Sequence, residues 1–401
     1  MAPPAATDAP AIPGPSPPSL SLPPSQFARL QPHAYLLAHL SPPPSSQQSP
    51  IRANGRTPLE FRYTSANSGS LTHTNGSAVV RIGDTAAVCG VRAEVLHTED
   101  IASWGVSASS SARKRRRTDS GNENGEGDDN DNSQIKDLNL LVPNLSLSTG
   151  CAPGFIPGAP PSALAQSLSH RLLSMLHSSH IICEDDLRIW YHPPDFDAIE
   201  RQQSRKDNEM ETDAGEKEDP ESPEPEIRGF WVLYIDVMMI SLAGNPFDAA
   251  WAAVIAALRD TQLPKAWWDV DNDMILCSDE ASESKKLNLR GLPVASSFAV
   301  FEADAAADWR AVVLPNVEKA KTKQTTREQQ RWILADPDGF EENLCQERIW
   351  IMVDRNEENN KSKIISMEKN GGLSVGRDEL RMLVDICLKR QEQIKDILQA
   401  L

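Results

Sequence analysis

The stretch that most constrains the fold is a long apolar strand that leads through a short turn into an alanine-rich helix. Apolar side chains fill most positions of residues 230–242, a pattern typical of a buried strand. Gly244-Asn245-Pro246 then turns the chain, and residues 247–259 follow with helical spacing. Because alanine side chains are small, this helix is predicted to pack close to a sheet.

Alternating patterns upstream predict several further strands. Residues 59–63 and 138–147 alternate apolar and polar side chains, which is typical of half-buried strands. Residues 77–82 and 85–95 are predicted to form a hairpin, because Gly83-Asp84 between them is a two-residue loop that suits the right-handed twist of strands.

A helix and a strand complete this half of the chain. The helix is predicted to open at Pro160-Pro161, where a missing N–H costs nothing, and a strand over 187–191 comes after it. The apolar stripe of the helix comprises Leu164, Leu168, Leu172 and Met175.

The second half repeats strands followed by a helix. Its predicted strands span 298–302, 311–314, 332–335, 348–353 and 363–368, the last two as a hairpin around 356–360. A final helix over 376–401 carries Leu380, Leu383, Cys387, Ile394 and Leu398 on one face. The repeated order predicts an α/β domain with mixed sheets and internal pseudo-symmetry.

Three segments are predicted to lie outside any core. Of the 30 prolines, 14 fall within residues 1–50, where the formal charges are Asp8 and Arg29 alone. Residues 106–136 combine a basic run with a carboxylate run, and residues 197–226 are strongly acidic. Such segments bury too little apolar surface to offset the entropy of ordering them. We therefore expect a disordered tail and two disordered inserts in a folded body.

Composition excludes several classes of protein. The longest apolar stretch, 249–258, falls far short of the roughly 20 residues that span a bilayer, so we expect no membrane partner. The N-terminal residues resemble neither a signal peptide nor a transit peptide, and an intracellular, soluble protein is expected.

No metal or cofactor is expected either. The six cysteines are widely spaced without a Cys-x-x-Cys pair, which favours reduced, mostly buried thiols over a disulfide framework or a zinc site. His170, His177 and His180 lie near one another but lack an acidic partner, and we interpret them as core or surface histidines.

Several motifs in order along the chain resemble the ribonuclease PH family. Three of them resemble its opening: Arg52-Ala-Asn-Gly-Arg56, Glu60-Phe-Arg62 and Gly76-Ser-Ala-Val-Val-Arg-Ile-Gly-Asp-Thr85. The segments 148–158 with 165–169, and 235–237 leading to 244–250, are similar to the eukaryotic exosome branch of that family. The resemblance extends from about residue 50 to the C-terminus.

The resemblance implies a fold, an assembly and a process. The fold is a ribonuclease PH fold of the ribosomal protein S5 domain 2-like type, with two βαβ-type lobes over 51–262 and 263–401. The assembly is a six-membered ring of related subunits with S1/KH cap subunits and an associated hydrolytic exonuclease. It serves 3′–5′ RNA processing and degradation, ribosomal RNA maturation included, and single-stranded RNA passes through its channel.

The phosphate site of active family members is degenerate in this sequence. Phosphorolysis needs an arginine, hydroxyls and backbone amides around inorganic phosphate, and active members carry an Asp-x-Gly-Thr-Arg segment there. Ala243, Pro246 and Phe247 occupy the acidic, threonine and arginine positions, and the Asp248 carboxylate would oppose an anion. The resemblance therefore implies a non-catalytic structural subunit without catalytic residues.

An acidic group further along the chain has two interpretations. The four residues lie where active relatives carry carboxylates, for general acid chemistry or a metal ion. Asp336-Pro-Asp-Gly339 is also an ordinary turn signal, and we favour this structural interpretation because the phosphate site is degenerate. The four residues are Asp336, Asp338, Glu341 and Glu342.

Arginines and a tryptophan pair are the remaining candidates for contacts. Five arginines lie on or beside elements that surround RNA in this family, so they either contact phosphate or form ion pairs. They are Arg56, Arg62, Arg81, Arg92 and Arg171. Trp267-Trp268 is either an interface anchor or a lid over the core.

A basic run within the first insert is a candidate nuclear localisation signal or a solvated loop that neutralises its acidic neighbours. It consists of Arg113, Lys114, Arg115, Arg116 and Arg117. We expect a nuclear and nucleolar protein that also occurs in the cytoplasm.

Two other functions remain open from the sequence. One is a phosphate-dependent 3′–5′ exoribonuclease with a divergent site. The other is a nuclear adaptor whose tail and inserts bind partners.

Overall fold

The computed structural model describes residues 23–42, 49–102, 104, 133–156, 160–193, 225–303, 331–345, 347–355, 361–372 and 375–400.

The helices are α1 (Pro24–Leu30), α2 (Pro32–Leu40), α3 (Ser133–Asp137), α4 (Ala163–Ser179), α5 (Glu184–Leu187), α6 (Pro246–Asp260), α7 (Gly339–Leu344) and α8 (Arg377–Gln399). The strands of the first half are β1 (Thr64–Ser68), β2 (Gly76–Ile82), β3 (Thr85–His97), β4 (Leu141–Leu147), β5 (Arg188–Tyr191) and β6 (Glu226–Ser241). Those of the second half are β7 (Gln262–Leu263), β8 (Ala266–Asp269), β9 (Met274–Cys277), β10 (Lys285–Lys286), β11 (Val294–Glu302), β12 (Arg331–Ala335), β13 (Glu347–Arg355) and β14 (Ser362–Asn370).

A six-stranded mixed sheet forms around the long strand β6. Its strand order is β1-β2-β3-β6-β4, with β5 pairing beside β6. β4 runs parallel to β6, whereas β1, β2, β3 and β5 pair antiparallel with their neighbours. The predicted hairpin is confirmed, with Ile82 opposite Thr85.

Helix α6 packs on this sheet as its alanines predict. All of its alanines except Ala252 are buried, and the helix contacts β2, β3 and β6. At Gly76 a side chain would meet the Ala257 carbonyl oxygen at 2.6 Å, so the glycine allows this close approach. The strand, turn and helix that most constrain the sequence therefore form the centre of the core.

A second, four-stranded sheet follows in the order β12-β11-β13-β14. On one of its faces Phe298, Ile349 and Ile351 pack with Leu383 and Cys387 of α8. Residues of the opposite face, with Ile394 and Leu398 of α8, belong to the core of the first sheet. The mixed α/β class is confirmed.

Several sequence predictions differ from the structure. Residues 59–63 are not a strand, since the backbone N–H of Arg62 donates to the Asp336 carboxylate instead of a strand neighbour. Helix α4 begins at Ala163 and not at the predicted Pro160-Pro161, because Ser162 caps it by accepting from the Ala165 N–H. On the predicted apolar faces, Leu164 is exposed and Leu380 is half-buried.

The predicted disorder was wrong where helices form. α1 and α2 lie within the predicted tail, and Leu36 and Leu40 of α2 are fully buried. α3 occupies the end of the first predicted insert, where Ile135 is buried. Residues 1–22 and 43–48 of the predicted tail, residues 106–132 and 197–224 of the predicted inserts, and the strand predicted over 311–314 lie outside the described residues.

Two compact units make up the chain. One comprises residues 1–58 and 301–332, and in its described part His33 Nε2 lies 3.0 Å from the Glu302 carbonyl oxygen. The other comprises residues 59–300 and 333–401 and carries the site described below. No helix within the described ranges is long and apolar enough to cross a membrane.

Candidate functional site

The loop between β6 and α6 adopts a conformation that requires glycine. Gly244 has φ +90°, and a Cβ atom there would lie 2.4 Å from the Asp338 carbonyl carbon and the Gly339 nitrogen. Gly339 N–H donates to the Ala243 carbonyl at 3.1 Å. Asn245 follows with φ 47°, also in the left-handed region. The start of α7 therefore packs directly against this loop.

An aromatic cluster surrounds Phe247 in the first turn of α6. Its side chain is 3% exposed. The ring stacks on Trp251 at 6.4 Å and meets the edge of Trp350 at 5.1 Å, measured between ring centroids. Pro246 lies at the N-terminus of α6 and has no N–H to offer an anion. The first turn of α6 is thus built for apolar packing.

Arg171 of α4 closes the cluster from outside. Its guanidinium carbon lies 4.0 Å from the centre of the Trp350 ring and 4.5 Å from that of Phe247. Arg171 Nη2 donates to Glu368 on β14 at 2.9 Å. Burial lowers the pKa of Arg171, while the charges of Glu368 and Asp248 act in the opposite direction. This predicted RNA contact is held between two aromatic rings and a carboxylate.

Asp248 is a buried carboxyl group that accepts three hydrogen bonds. Its Oδ2 accepts from Asn245 Nδ2 at 2.8 Å and from the Ser297 N–H at 2.9 Å, and its Oδ1 accepts from the Ser297 hydroxyl at 2.7 Å. Burial raises the pKa of Asp248, against the lowering effect of these donors. The residue therefore joins α6 to β11.

Arg62 donates all five of its side-chain N–H groups to protein oxygens. Nε and Nη2 donate to the two oxygens of Asp336 at 2.8 and 2.7 Å. Nη1 donates to the Thr85 hydroxyl at 3.2 Å and the Ala243 carbonyl at 3.1 Å, and Nη2 also donates to the Gly244 carbonyl at 3.2 Å. A guanidinium has five such donors. Arg62 therefore has no donor left for an RNA phosphate in this arrangement.

Asp336 is the acceptor on which this network converges. Burial raises the pKa of its carboxyl group, but hydrogen bonds and charge from Arg62, with a hydrogen bond from Asn245, outweigh burial and bring the pKa to about 2. Asn245 Nδ2 lies 2.8 Å from both Asp248 Oδ2 and Asp336 Oδ1. One amide thus connects the two buried carboxyl groups.

The other acidic residues of the predicted group satisfy backbone groups. Asp338 accepts from the Phe340 and Glu341 N–H groups, and Glu341 accepts from the Asp338 N–H, which makes a capping box for α7. Glu342 accepts from the Asn245 N–H at 3.0 Å, and burial raises its pKa. These contacts support the structural interpretation of the acidic group.

The other predicted arginines lie elsewhere. Arg81 is exposed, and its Nε donates to the Gly83 carbonyl at 2.8 Å. Arg92 is exposed and lies 3.3 Å from Glu94. Arg56 is half-buried and belongs to the first compact unit. The basic run over 113–117 lies outside the described residues. Contact of Arg56, Arg81 and Arg92 with RNA stays a prediction.

The six cysteines differ in burial. Cys89, Cys151, Cys345 and Cys387 are buried, Cys183 is half-buried and Cys277 is exposed, all as free thiols. Among the residues that the structure describes, no group of three or more histidine, cysteine or carboxylate side chains is arranged to hold a metal.

Arg390 was not predicted from the sequence. Its guanidinium packs over the Phe61 ring at 4.9 Å and donates to the Thr64 hydroxyl. It is 6% exposed and lies on the same face of α8 as Leu383, Cys387 and Ile394. The sequence signal that could have identified it is a charged residue at a position where the helical spacing of the apolar face of α8 predicts an apolar one. Asn245, Ser297 and Trp350 carried no local signal.

Comparison with known proteins identifies the family. The chain is 27% identical to the exosome complex component rrp43 of Schizosaccharomyces pombe over 368 residues, 92% of this chain and 95% of that relative. It is 22% identical to the exosome complex component Rrp42 of Methanothermobacter thermautotrophicus, over 86% of this chain and 89% of that relative. A subunit of the Archaeoglobus fulgidus exosome with RNA bound to the active site shares the fold. Its TM-score is 0.53 at 18% identity, over 92% of this chain and 98% of that one. The model of the RNase PH domain, described as 3′ exoribonuclease family, domain 1, matches residues 60–264. The chain therefore belongs to the ribonuclease PH family.

Proposed function

We propose that this protein is a non-catalytic structural subunit of the RNA exosome. It completes a six-membered ring of ribonuclease PH-like subunits and forms part of the channel for single-stranded RNA. The observation that carries the proposal is the aromatic packing around Phe247, where active family members have a phosphate-binding arginine. Both relatives reported above are exosome complex components by name, which supports the assembly.

The surroundings of the loop support the absence of phosphorolysis. Bound phosphate needs free donors. The N–H of Asn245 donates to Glu342, that of Ser297 donates to Asp248, and Pro246 has none. Of the two guanidinium groups beside the loop, Arg62 is fully engaged with protein oxygens. Arg171 is stacked on Phe247 and Trp350 and donates to Glu368. The buried Asp248 carboxyl in the first turn of α6 adds an acceptor there, and not a donor.

The partners in this proposal are the other ring subunits, S1/KH cap subunits and an associated hydrolytic exonuclease that performs the chemistry. Native mass and subunit composition of the tagged protein, purified gently from its own cells, test the assembly. We expect a large complex that contains several ribonuclease PH-like chains and cap proteins. A monomer or a homo-oligomer would contradict the ring.

Absence of phosphorolysis is tested on the purified chain paired with its ring neighbour. Labelled single-stranded RNA is incubated with and without inorganic phosphate, beside an active ribonuclease PH as positive control. We expect no phosphate-dependent release of nucleoside diphosphates. Release that appears on addition of phosphate, and survives exchange of the neighbour for an inactive variant, would support the divergent exoribonuclease instead.

The proposal includes a nuclear and nucleolar location beside the cytoplasm, and the run over 113–117 is its sequence support. Imaging of the tagged chain with Arg113–Arg117 deleted tests the signal. We expect reduced nuclear entry, and unchanged entry removes the run as a signal.

A further inference from the structure

The hairpin of β8 and β9 presents two different faces. Trp267 pairs with Leu276 and Asp269 with Met274, while Trp268 pairs with Ile275 in the same register. Because side chains alternate along a strand, the first two pairs lie on one face and the third on the other. We call these the outer face and the inner face of the hairpin.

The inner face is fixed against the large sheet. Trp268 is 8% exposed, and the guanidinium of Arg228 lies 5.2 Å from its ring and 5.7 Å from that of Tyr191. Ile275 Cδ1 fills the space beside Gly229, only 2.4 Å from where a Cβ atom of that glycine would be. This packing holds the outer face in a defined position.

Three of the four outer-face side chains are apolar, and Asp269 is the fourth. Trp267 is 41% exposed, Met274 is 45% exposed, and Val270 in the connecting turn is 58% exposed. Leu276 between them is half-buried. Grouped apolar residues that include tryptophan, with a polar rim, are typical of protein interfaces.

Charge around the outer face selects the kind of partner. Residues 266–284 contain six carboxylates and no lysine or arginine, and one of the six, Glu283, pairs with the flanking Lys265 at 3.2 Å. The other five are Asp269, Asp271, Asp273, Asp279 and Glu280. Such a rim repels nucleic acid, an anionic membrane and a second copy of the same face. It attracts lysine and arginine side chains of a polypeptide.

We propose that the outer face of this hairpin docks a basic polypeptide segment of a partner protein. Apolar side chains of that segment pack on Trp267 and Met274, and its cations face Asp271 and Asp273 at the turn. The inference is independent of the proposed function, because it requires a basic partner segment and not an exosome ring.

Cross-linking at the turn tests the proposal. A photo-reactive residue replaces Asn272 in the tagged full chain, and the complex purified from its own cells is irradiated and analysed by mass spectrometry. We expect a cross-link to a segment of another chain with net positive charge. Trp267→Ala lowers the yield about tenfold, as for an interface anchor, and the pair Asp271→Lys, Asp273→Lys lowers it similarly.

A matched control uses the same photo-reactive residue at Met238, which is 50% exposed on β6. Its cross-links should not respond to the hairpin substitutions, and unchanged thermal unfolding shows that the variants fold. Three results would overturn the proposal. They are a cross-link from position 272 to an acidic segment, a cross-link whose yield does not change when Asp271 and Asp273 are replaced by lysine, and the absence of any cross-link. A cross-link to this chain's own residues 113–117 would also overturn it.

Discussion

Arg62 and Asp336 form an ion pair that is nearly sealed from water, with exposed side-chain fractions of 9% and 1%. Removal of two charges from water is costly, and only good geometry with further hydrogen bonds compensates for it. Here two parallel N–H···O bonds are joined by a third from the backbone of Arg62 and a fourth from Asn245. Removal of either charged side chain is therefore expected to destabilise the fold.

Arg62→Met is predicted to lower the free energy of unfolding by about 3–5 kcal/mol, because Asp336 stays buried without its cation. Urea unfolding at neutral pH measures the change. Arg81→Met is the control, since Arg81 is 63% exposed and its substitution should change stability by less than about 0.5 kcal/mol. Equal stability of the two variants would contradict the structural role of Arg62.

The contribution of Asp336 to stability is predicted to depend on pH. Its pKa in the folded protein is about 2, below the ordinary value of 3.8. The contribution is therefore fully present above pH 4 and is lost as the pH falls through about 2.

Asp336→Asn tests this dependence by urea unfolding at a series of pH values. The difference from the unsubstituted protein should be largest at neutral pH and shrink on acidification. Asp84→Asn, at a side chain that is 85% exposed, should show no such convergence. A constant difference for Asp336→Asn down to acidic pH would argue against the depressed pKa.

Single positions in the site could be predicted only in part. Ala243, Pro246 and Phe247 could be identified from the sequence as departures from the family pattern, because all three lie within the five residues 243–247. Arg171 and Trp350, which contact Phe247, come from distant segments of the chain. The periodicity of a single segment does not predict which distant side chains will contact it. For the same reason the sequence left Arg62 as either a phosphate contact or an ion pair, since its acceptor Asp336 follows far along the chain.

At the scale of elements, the Arg171 side chain links helix α4 to the second sheet. Arg171 spans from α4 to Trp350 on β13 and Glu368 on β14, and its plane also covers Phe247 of α6. A planar guanidinium can stack on a ring while it donates to a carboxylate, and an ammonium group cannot do both equally well.

Arg171→Ala is predicted to lower stability by roughly 1–2 kcal/mol, the combined scale of cation–π contacts and a partly exposed ion pair. Arg171→Lys should keep the charge but lose most of this contribution. Hydrogen exchange of α4 amides, which should accelerate in both variants, measures the effect. Arg92→Ala is the matched control, and equal exchange in all four proteins would refute the attachment.

Elements with strong periodicity could be predicted, and short ones could not. The strand-turn-helix unit of β6 and α6 and the hairpin of β2 and β3 matched their patterns within a few residues. β7 to β10 are two to four residues long, too short for a pattern to stand out. α1 and α2 were missed because proline-rich composition outweighed the short apolar run that buries Leu36 and Leu40.

At the scale of the whole molecule, charge opposes independent binding of RNA. The chain has a formal net charge of −17. Nucleic-acid affinity comes chiefly from cations that neutralise phosphates. Four of the five candidate arginines pair with carboxylates, and the two least exposed of these four are Arg62 and Arg171.

The purified chain alone is therefore predicted not to retain single-stranded RNA at physiological salt. Mobility-shift titration measures this, with the assembled complex as positive control. Charge reversal at Arg81 should lower RNA protection only in the assembly, if that residue lines the RNA path. Salt-dependent binding of RNA by the isolated chain would contradict the expectation.

The packing of Phe247 also limits how this sequence can evolve. An arginine introduced there alone would place a second guanidinium in the space next to that of Arg171, within an aromatic cluster that excludes water. Uncompensated buried charge costs several kcal/mol, a large part of the stability of a domain. Any route to a phosphate-binding loop must therefore first dismantle the contacts of Arg171 and Trp350. Selection for a stable fold therefore opposes a single Phe247→Arg substitution.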